Sequence, residues 1–138
     1  MQHRIPRINV HFMLGLFVLL FSSLAAAQQQ YPNRPIRLII PFPAGGNVDV
    51  FSRVLFRQVE IEIGGTFVID NRGGANGIVG ADTVRSASPD GYTIMNTSFG
   101  FAVNPSIVKK LPFDVVRDFT PITNVATGLG YLMVVHPG

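Results

Sequence analysis

Short apolar runs alternate with glycine-rich loops and helical patterns along this chain, and that alternation restricts the fold more than any other feature. The runs at Ile36–Ile40, 67–69 and 92–96 each have the length of a buried strand. Strands that alternate with helices pair in parallel and connect through right-handed crossovers. The sequence therefore predicts an α/β fold, with a parallel sheet built from βαβ units.

The first predicted helix follows the first strand closely. Apolar residues recur at spacings of three and four in Val48, Phe51, Leu55 and Val59, so these side chains are expected to face the sheet. The glycine pair at 64–65 is expected to end the helix, because glycine readily adopts the left-handed conformation found there.

The rest of the chain shows weaker periodicity. A second helix is predicted over 78–87, ending at the turn sequence 88–91, where proline presets φ and glycine relieves the exit. Further prolines then interrupt the pattern, and one short helix is expected at 105–109. The apolar runs at 122–125 and 131–135 are predicted to be buried strands.

Residues 1–27 have the layout of a cleavable export signal. Two arginines precede an apolar run at 12–21, and three alanines supply the small residues that a signal peptidase requires. The run is about 10 residues long, well short of the roughly 20 of a membrane-spanning helix. We expect cleavage after Ala27, which leaves residues 28–138 as one mature periplasmic domain.

Charge and composition exclude several function classes. The net charge of +3 includes Arg4 and Arg7, and without them nine basic residues face eight acidic ones, which does not suggest a nucleic-acid partner. The chain has no cysteine, and His136 is the single histidine after the signal. Neither a catalytic triad nor a metal cluster can be assembled from this inventory. We expect no catalytic residue, no metal and no cofactor.

Three loops are expected to meet where the parallel strands end. The loops at 44–47 and 73–77 are glycine-rich and precede helices, so backbone N–H groups can approach an anion there. Thr97 and Ser98 add two hydroxyl groups after the third strand. The sequence predicts an anion-binding edge, although glycines at any one of these loops could serve a tight turn alone.

Two charged residues near this edge have two interpretations each. Asp49 lies in the first turn of a helix, where the helix dipole favours an acid, and it could also accept a hydrogen bond from a ligand or an ordered water. Arg72 could pair with a second ligand carboxylate or remain a solvated residue at a strand end. Nucleotide binding is not expected, because neither glycine-rich loop has the spacing of a P-loop or of a dinucleotide fingerprint.

Several motifs taken together resemble one transport-receptor family. They are YPNRPIRLIIPFPAGG at 31–46, DNR at 70–72, GANG at 74–77, PDGYT at 89–93 and RDFTPI at 117–122. In order and content they resemble the receptors of tripartite tricarboxylate transporters, also called the Bug family.

The resemblance implies a type II periplasmic binding protein, whose two lobes close on a small carboxylate and deliver it to the membrane subunits of a transporter. Such receptors hold the carboxylate through backbone amides and ordered waters of the first strand-to-helix loop. By position, the implied ligand-binding residues are Phe42, Pro43, Ala44, Gly45, Gly46, Asp49, Thr97 and Ser98.

The chain departs from the family pattern at Gly73, where proline is usual, and at Gly65, where glutamine is usual. Family members are also considerably longer. Residues 28–138 are therefore expected to be an N-terminal lobe without its second lobe, which could self-associate through an uncovered strand at 131–135. A truncated receptor without a ligand is the main alternative, and an enzyme domain that binds a phosphate ester is a weaker one.

Overall fold

The structure is a computed structural model that describes residues 31–128. The predicted export signal at 1–27 and the predicted strand at 131–135 lie outside this range. The described elements follow one another as β1 (Ile36–Ile40), α1 (Asn47–Ile63), β2 (Phe67–Asn71), a 3-10 turn (Ala75–Gly77), α2 (Ile78–Arg85), β3 (Thr93–Met95) and α3 (Gly100–Ile107).

The three described strands form a parallel sheet in the order β2-β1-β3. Ile39 of β1 pairs with Asp70 of β2 and with Met95 of β3, so the strands end at the same level. This register confirms the predicted α/β fold with parallel βαβ units. It also brings the three loops that follow the strands to one edge, called the carboxyl edge below.

The core is centred on β1. Leu38, Ile39 and Ile40 follow one another and are all fully buried, although their side chains point to alternate faces. Both faces of the central strand are therefore covered. Right-handed crossovers in this strand order place α1 on one face and α2 on the other. On the α1 face, Phe56 packs edge-to-face on Phe67 with 4.7 Å between ring centroids.

The predicted inner face of α1 is partly wrong. Phe51 is 40% exposed, and the other three predicted positions are half-buried. The helix residues that are fully buried are Asp49 and Ser52. Spacing alone could not locate the inner face, because the opposite face is apolar as well, with Val54 and Ile61 each at least 70% exposed.

The other early elements differ from the prediction at their ends. β2 runs two residues past the predicted end and reaches Asn71, and β3 is one residue shorter at each end. α2 begins at Ile78 as predicted and ends at Arg85, and the 3-10 turn precedes it.

The short helix predicted at 105–109 was placed wrongly. α3 spans Gly100–Ile107 and contains Pro105 near its end. Proline lacks an N–H group and was therefore expected to stand at a helix start. α3 tolerates Pro105 near its C-terminal end because amides on either side of it keep their hydrogen bonds. Val103 N donates to Phe99 O at 3.3 Å, and Val108 N donates to Asn104 O at 2.9 Å.

The predicted buried strand at 122–125 is also wrong. This segment has no regular secondary structure, and Ile122 is 77% exposed. A short apolar run becomes a strand only where another strand supplies backbone partners, and none of residues 31–128 pairs with it.

The amino edge of the sheet carries a cluster of polar and aromatic side chains. The rings of Tyr31 and Tyr92 meet edge-to-face at 5.0 Å, and Arg34 stacks over Tyr92 at 4.2 Å while pairing with Asp90 at 2.8 Å. Asn33 accepts from the Tyr92 hydroxyl at 2.8 Å. This cluster ties the chain before β1 to the turn before β3. None of the described helices is long and apolar enough to cross a membrane.

Candidate functional site

The first loop leaves β1 at the carboxyl edge and turns sharply into α1. Gly45 has a φ of +80°, a conformation that favours glycine. Gly46 N donates to Pro43 O at 3.2 Å, and this bond closes the turn just before α1 begins. The candidate ligand residues Phe42 to Gly46 therefore form one compact loop.

Asp49 supports this loop from behind. Its side chain is 2% exposed; Oδ2 accepts from Gly45 N at 2.8 Å and from Arg53 Nε at 3.0 Å, while Oδ1 accepts from Asn71 Nδ2 at 3.0 Å. These bonds, first that of Arg53 and then those of the Gly45 amide and Asn71, lower the pKa of Asp49 to about 2. Both oxygens of the ionised carboxylate are thus already engaged within the protein.

The start of α1 offers backbone donors to the carboxyl edge. The N–H groups of Ala44, Asn47 and Val48 have no hydrogen-bond acceptor among the described residues, and no side chain caps the helix. Free amides at a helix start, together with the helix dipole, favour an anion.

The second loop packs directly on the first. A Cβ built at Gly73 would lie 3.4 Å from Pro43 N, and one built at Gly77 would lie 3.3 Å from Pro41 Cβ. Glycine at these positions lets the two loops approach closely. Within the second loop, Asn76 adopts a positive φ of 54° in the 3-10 turn that leads into α2.

Two asparagines tie the second loop to α3, the helix that follows the third loop. Asn76 Nδ2 donates to Asn104 Oδ1 at 2.6 Å, and Asn104 Nδ2 donates back to Asn76 O at 3.2 Å, with Asn104 almost fully buried. A Cβ built at Gly100 would lie 3.6 Å from the Asn76 side chain and 3.7 Å from Ser98 Oγ. The three loops therefore converge on the carboxyl edge, as the sequence predicts.

The third loop is anchored to α1 through Asn96. Its Nδ2 donates to Ser52 Oγ at 2.7 Å, and that hydroxyl donates to Val48 O at 2.6 Å. The next two residues, Thr97 and Ser98, have hydroxyl groups without a hydrogen-bond partner among residues 31–128. These two candidate residues stand one strand away from the first loop, with unused hydrogen-bonding capacity.

Charged side chains near the edge have different roles. Arg72 pairs with Asp70 at 3.0 Å, and Asp70 also accepts from Arg37 Nε at 3.0 Å. The guanidinium of Arg53 remains about half exposed next to the first loop while it bonds Asp49. Arg53 is thus a cation at the edge that the sequence analysis did not single out.

The asparagines that hold the loops together were not predicted from the sequence either. Asn71 and Asn96 each stand at the end of an apolar strand run, and this repeated position was a signal available in the sequence. Asn104 and Ser52 carried no such signal, because their role depends on contacts between distant segments.

Residues 31–128 contain no group of three histidine, cysteine or acidic side chains placed to hold a metal ion.

The model of the tripartite tricarboxylate transporter family receptor matches residues 51–137. This match covers well over half of the chain. The chain belongs to this family. The assignment agrees with the resemblance carried by the sequence motifs.

Relatives of known sequence span several bacteria. The chain is 37% identical over 124 residues to a protein from the tcbD-tcbE intergenic region of Pseudomonas sp. strain P51, with 88% of this chain and 37% of the relative covered. It is 36% identical over 116 residues to protein BugT of Bordetella pertussis, with 82% of this chain and 36% of the relative covered. The chain thus spans little more than a third of the length of these relatives.

Solved structures of the same family share the fold. The periplasmic binding protein BugD superposes with a TM-score of 0.64 at 39% identity, over 67% of this chain and 31% of that one. MatC of Rhodopseudomonas palustris with bound malate gives 0.60 at 28% identity, over 66% and 31%. An R. palustris protein with adipate gives 0.59 at 31% identity, over 62% and 29%. These homologues are solute-binding receptors.

Proposed function

We propose that this receptor-family chain binds a small dicarboxylate at its carboxyl edge and presents it to a tripartite tricarboxylate transporter in the membrane. The proposed ligand-contacting residues are Phe42, Pro43, Ala44, Gly45 and Gly46 of the first loop and Thr97 and Ser98 of the third. The proposed donors are the N–H group of Ala44, those of Asn47 and Val48 at the start of α1, and the two hydroxyls. Asp49 is proposed to hold the first loop in place.

The observation that carries this proposal is the set of unused donors at one edge. Within residues 31–128, the N–H groups of Asn47 and Val48 at the start of α1 have no acceptor, and the hydroxyls of Thr97 and Ser98 after the neighbouring strand have no hydrogen-bond partner. Donors without acceptors, converging at strand ends, suit a carboxylate. The ligands of two homologues, malate and adipate, belong to the same chemical class.

Binding is best tested by NMR, because amide resonances report both weak and tight ligands. The unmodified chain is titrated with malate, adipate and, as a neutral comparison, glycerol. We expect the two dicarboxylates to shift the amide resonances of Gly45, Gly46, Asn47 and Ser98, and glycerol to leave them unchanged. Shifts confined to other parts of the chain, or none at all, would show that this edge is not the site.

A variant at Gly46 tests the loop itself. A Cβ at this position would lie 3.2 Å from Pro43 O, so Gly46→Val forces the turn to move without changing the charge. We expect dicarboxylate affinity to fall by about 10-fold or more. Gly128→Val is the matched control, because a Cβ built at Gly128 meets nothing within 4 Å. Equal affinity in both variants would mean that the glycine only turns the chain.

We also propose export to the periplasm through cleavage after Ala27. The support is the charge and hydropathy pattern of residues 1–27 and the periplasmic character of the homologue BugD. Intact-mass measurement of periplasmic material should give a chain that begins at Gln28. A product that retains the apolar run at 12–21 would contradict this.

A further inference from the structure

Asn71, the last residue of β2, uses both ends of its side-chain amide. Nδ2 donates to the carbonyl oxygen of Phe42 at 3.1 Å and to Asp49 Oδ1 at 3.0 Å. Its Oδ1 accepts from Arg53 Nη2 at 3.4 Å. One side chain thus joins the second strand to the first loop and to α1.

The first loop depends on such side-chain bonds because it lies beyond the sheet pairing. The last paired residue of β1 is Ile40, which stands opposite Asn71. Past that point the Phe42 carbonyl is held by Asn71, and the Gly45 amide is held by Asp49, which Asn71 holds in turn. Asn71 therefore fixes the loop near both of its ends.

We infer that Asn71 is a positioning residue for ligand binding: it touches no ligand, and it holds the first loop in the shape that accepts a carboxylate. This inference rests on the function proposed above. Its polar atoms are occupied by Phe42, Asp49 and Arg53, so it acts on the ligand through the loop alone. Affinity should then depend on a residue of the neighbouring strand.

Position 71 must donate to Phe42 O and Asp49 and accept from Arg53. Only an uncharged side chain that both donates and accepts can make all of these bonds. An aspartate at the same position has the same shape, but when ionised it cannot donate to Phe42 O and it repels Asp49. Two adjacent carboxyl groups do not both ionise readily, so the introduced one keeps its proton to a higher pH than usual. Once protonated, it regains a donor.

Few charged groups of the described range surround Asn71. Asp49 and Arg53 face it from α1. On the sheet, Asp70 with its partner Arg72 is adjacent in sequence, and the alternation of strand side chains turns Asp70 to the opposite face. Asp49 is therefore the acid that an introduced carboxyl group would meet first.

The decisive experiment compares Asn71→Asp at two pH values. Binding of malate or adipate, whichever binds the unmodified chain, is measured at pH 8 and pH 6, and each affinity is divided by that of the unmodified chain at the same pH. We expect a loss of about 5- to 10-fold at pH 8, since one or two bonds are lost, and a recovery of at least about half of it at pH 6. A loss that does not change with pH overturns the inference.

Two further variants separate positioning from general damage. Asn71→Leu has a similar volume and no polar atom, so its affinity should stay low at both pH values. Asn33→Asp makes the same charge change at the amino edge and keeps the oxygen that accepts from Tyr92. Its affinity should equal that of the unmodified chain at both pH values. A pH-dependent loss in Asn33→Asp also overturns the inference.

A measurement without ligand keeps the two proposals distinguishable. Amide hydrogen exchange at Gly45 should be about 5-fold faster or more in Asn71→Leu, because the acceptor Asp49 loses its support. The Ala44 amide, which has no acceptor among the described residues, is the internal comparison. Unchanged exchange at Gly45 overturns the positioning role. If no probe binds the unmodified chain while Gly45 exchange responds, the proposed function fails and the hold of Asn71 on the loop stands.

Discussion

Asp49 is the residue whose charge most directly affects the first loop. Its carboxyl group has an ordinary pKa of 3.8, and the bonds from Arg53, Gly45 and Asn71 lower it to about 2 in the folded chain. Because this pKa is lower in the folded chain, the unfolded chain binds the proton more tightly than the folded chain does. The stabilisation by this group is therefore fully present above about pH 4 and is lost as the pH falls towards 2.

This linkage predicts how Asp49→Asn behaves with pH. At pH 7 the variant should be less stable than the unmodified chain, because the charge-assisted bonds to Arg53 and Gly45 are weakened. The difference should shrink between pH 4 and pH 2.5. Urea unfolding followed by circular dichroism at several pH values measures it. A difference that stays constant down to pH 2.5 would show that the carboxylate is not specifically stabilised.

Gly80 is a residue where the missing side chain matters. A Cβ there would lie 2.6 Å from Pro41 Cβ and 2.9 Å from Arg72 O, between α2 and the carboxyl edge. We predict that Gly80→Ala destabilises the chain by about 1–3 kcal/mol through overpacking. Gly128→Ala, where the added Cβ meets no described residue within 4 Å, should change stability by less than about 0.5 kcal/mol. The denaturant midpoints of the two variants measure this difference, and equal midpoints would contradict the prediction.

At the scale of elements, α1 has two apolar faces, and only one packs on the sheet. Phe56 contacts Phe67, whereas Val54 is 71% exposed. We predict that Phe56→Ala costs about 2–3 kcal/mol, below the roughly 3–5 kcal/mol of a fully buried phenylalanine. Val54→Ala should be neutral to within about 0.5 kcal/mol. Thermal unfolding tests both, and a larger loss at Val54 would mean that its face is covered in solution.

The described sheet has two unpaired outer strand edges, at β2 and at β3. Neither β2 nor β3 pairs with a second strand among residues 31–128, and the apolar side chains Val50, Val54 and Val68 are exposed. Unpaired strand edges beside apolar surface are templates for pairing with another chain.

We therefore predict that a chain of residues 28–138 self-associates at micromolar concentrations, and that the C-terminal part of a close relative, added in trans, improves its solubility. Size-exclusion chromatography with light scattering measures both effects. Val68→Lys places a charge on the β2 edge and should reduce association. A monomer at all concentrations would contradict this. The related expectation of pairing through 131–135 concerns residues outside the described range and stays a prediction.

The parallel α/β order could be predicted from the sequence, because strand and helix periodicities are local properties of Ile36–Ile40 and the segments after it. The sequence also placed the glycine-rich loops, since glycine marks sharp turns and close approaches such as the one at Gly45. The family motifs are likewise local, and the family assignment agrees with them.

The inner face of α1 and the polar groups that hold the carboxyl edge could not be predicted from the sequence, because both depend on contacts in the folded chain. Both faces of that helix are apolar, so periodicity could not choose between them. The choice follows from the bonds of Asp49 with Asn71 and of Ser52 with Asn96, which join residues 22 and 44 positions apart. A buried polar side chain is stable only where a distant partner satisfies it, and such partners come together only when the chain has folded.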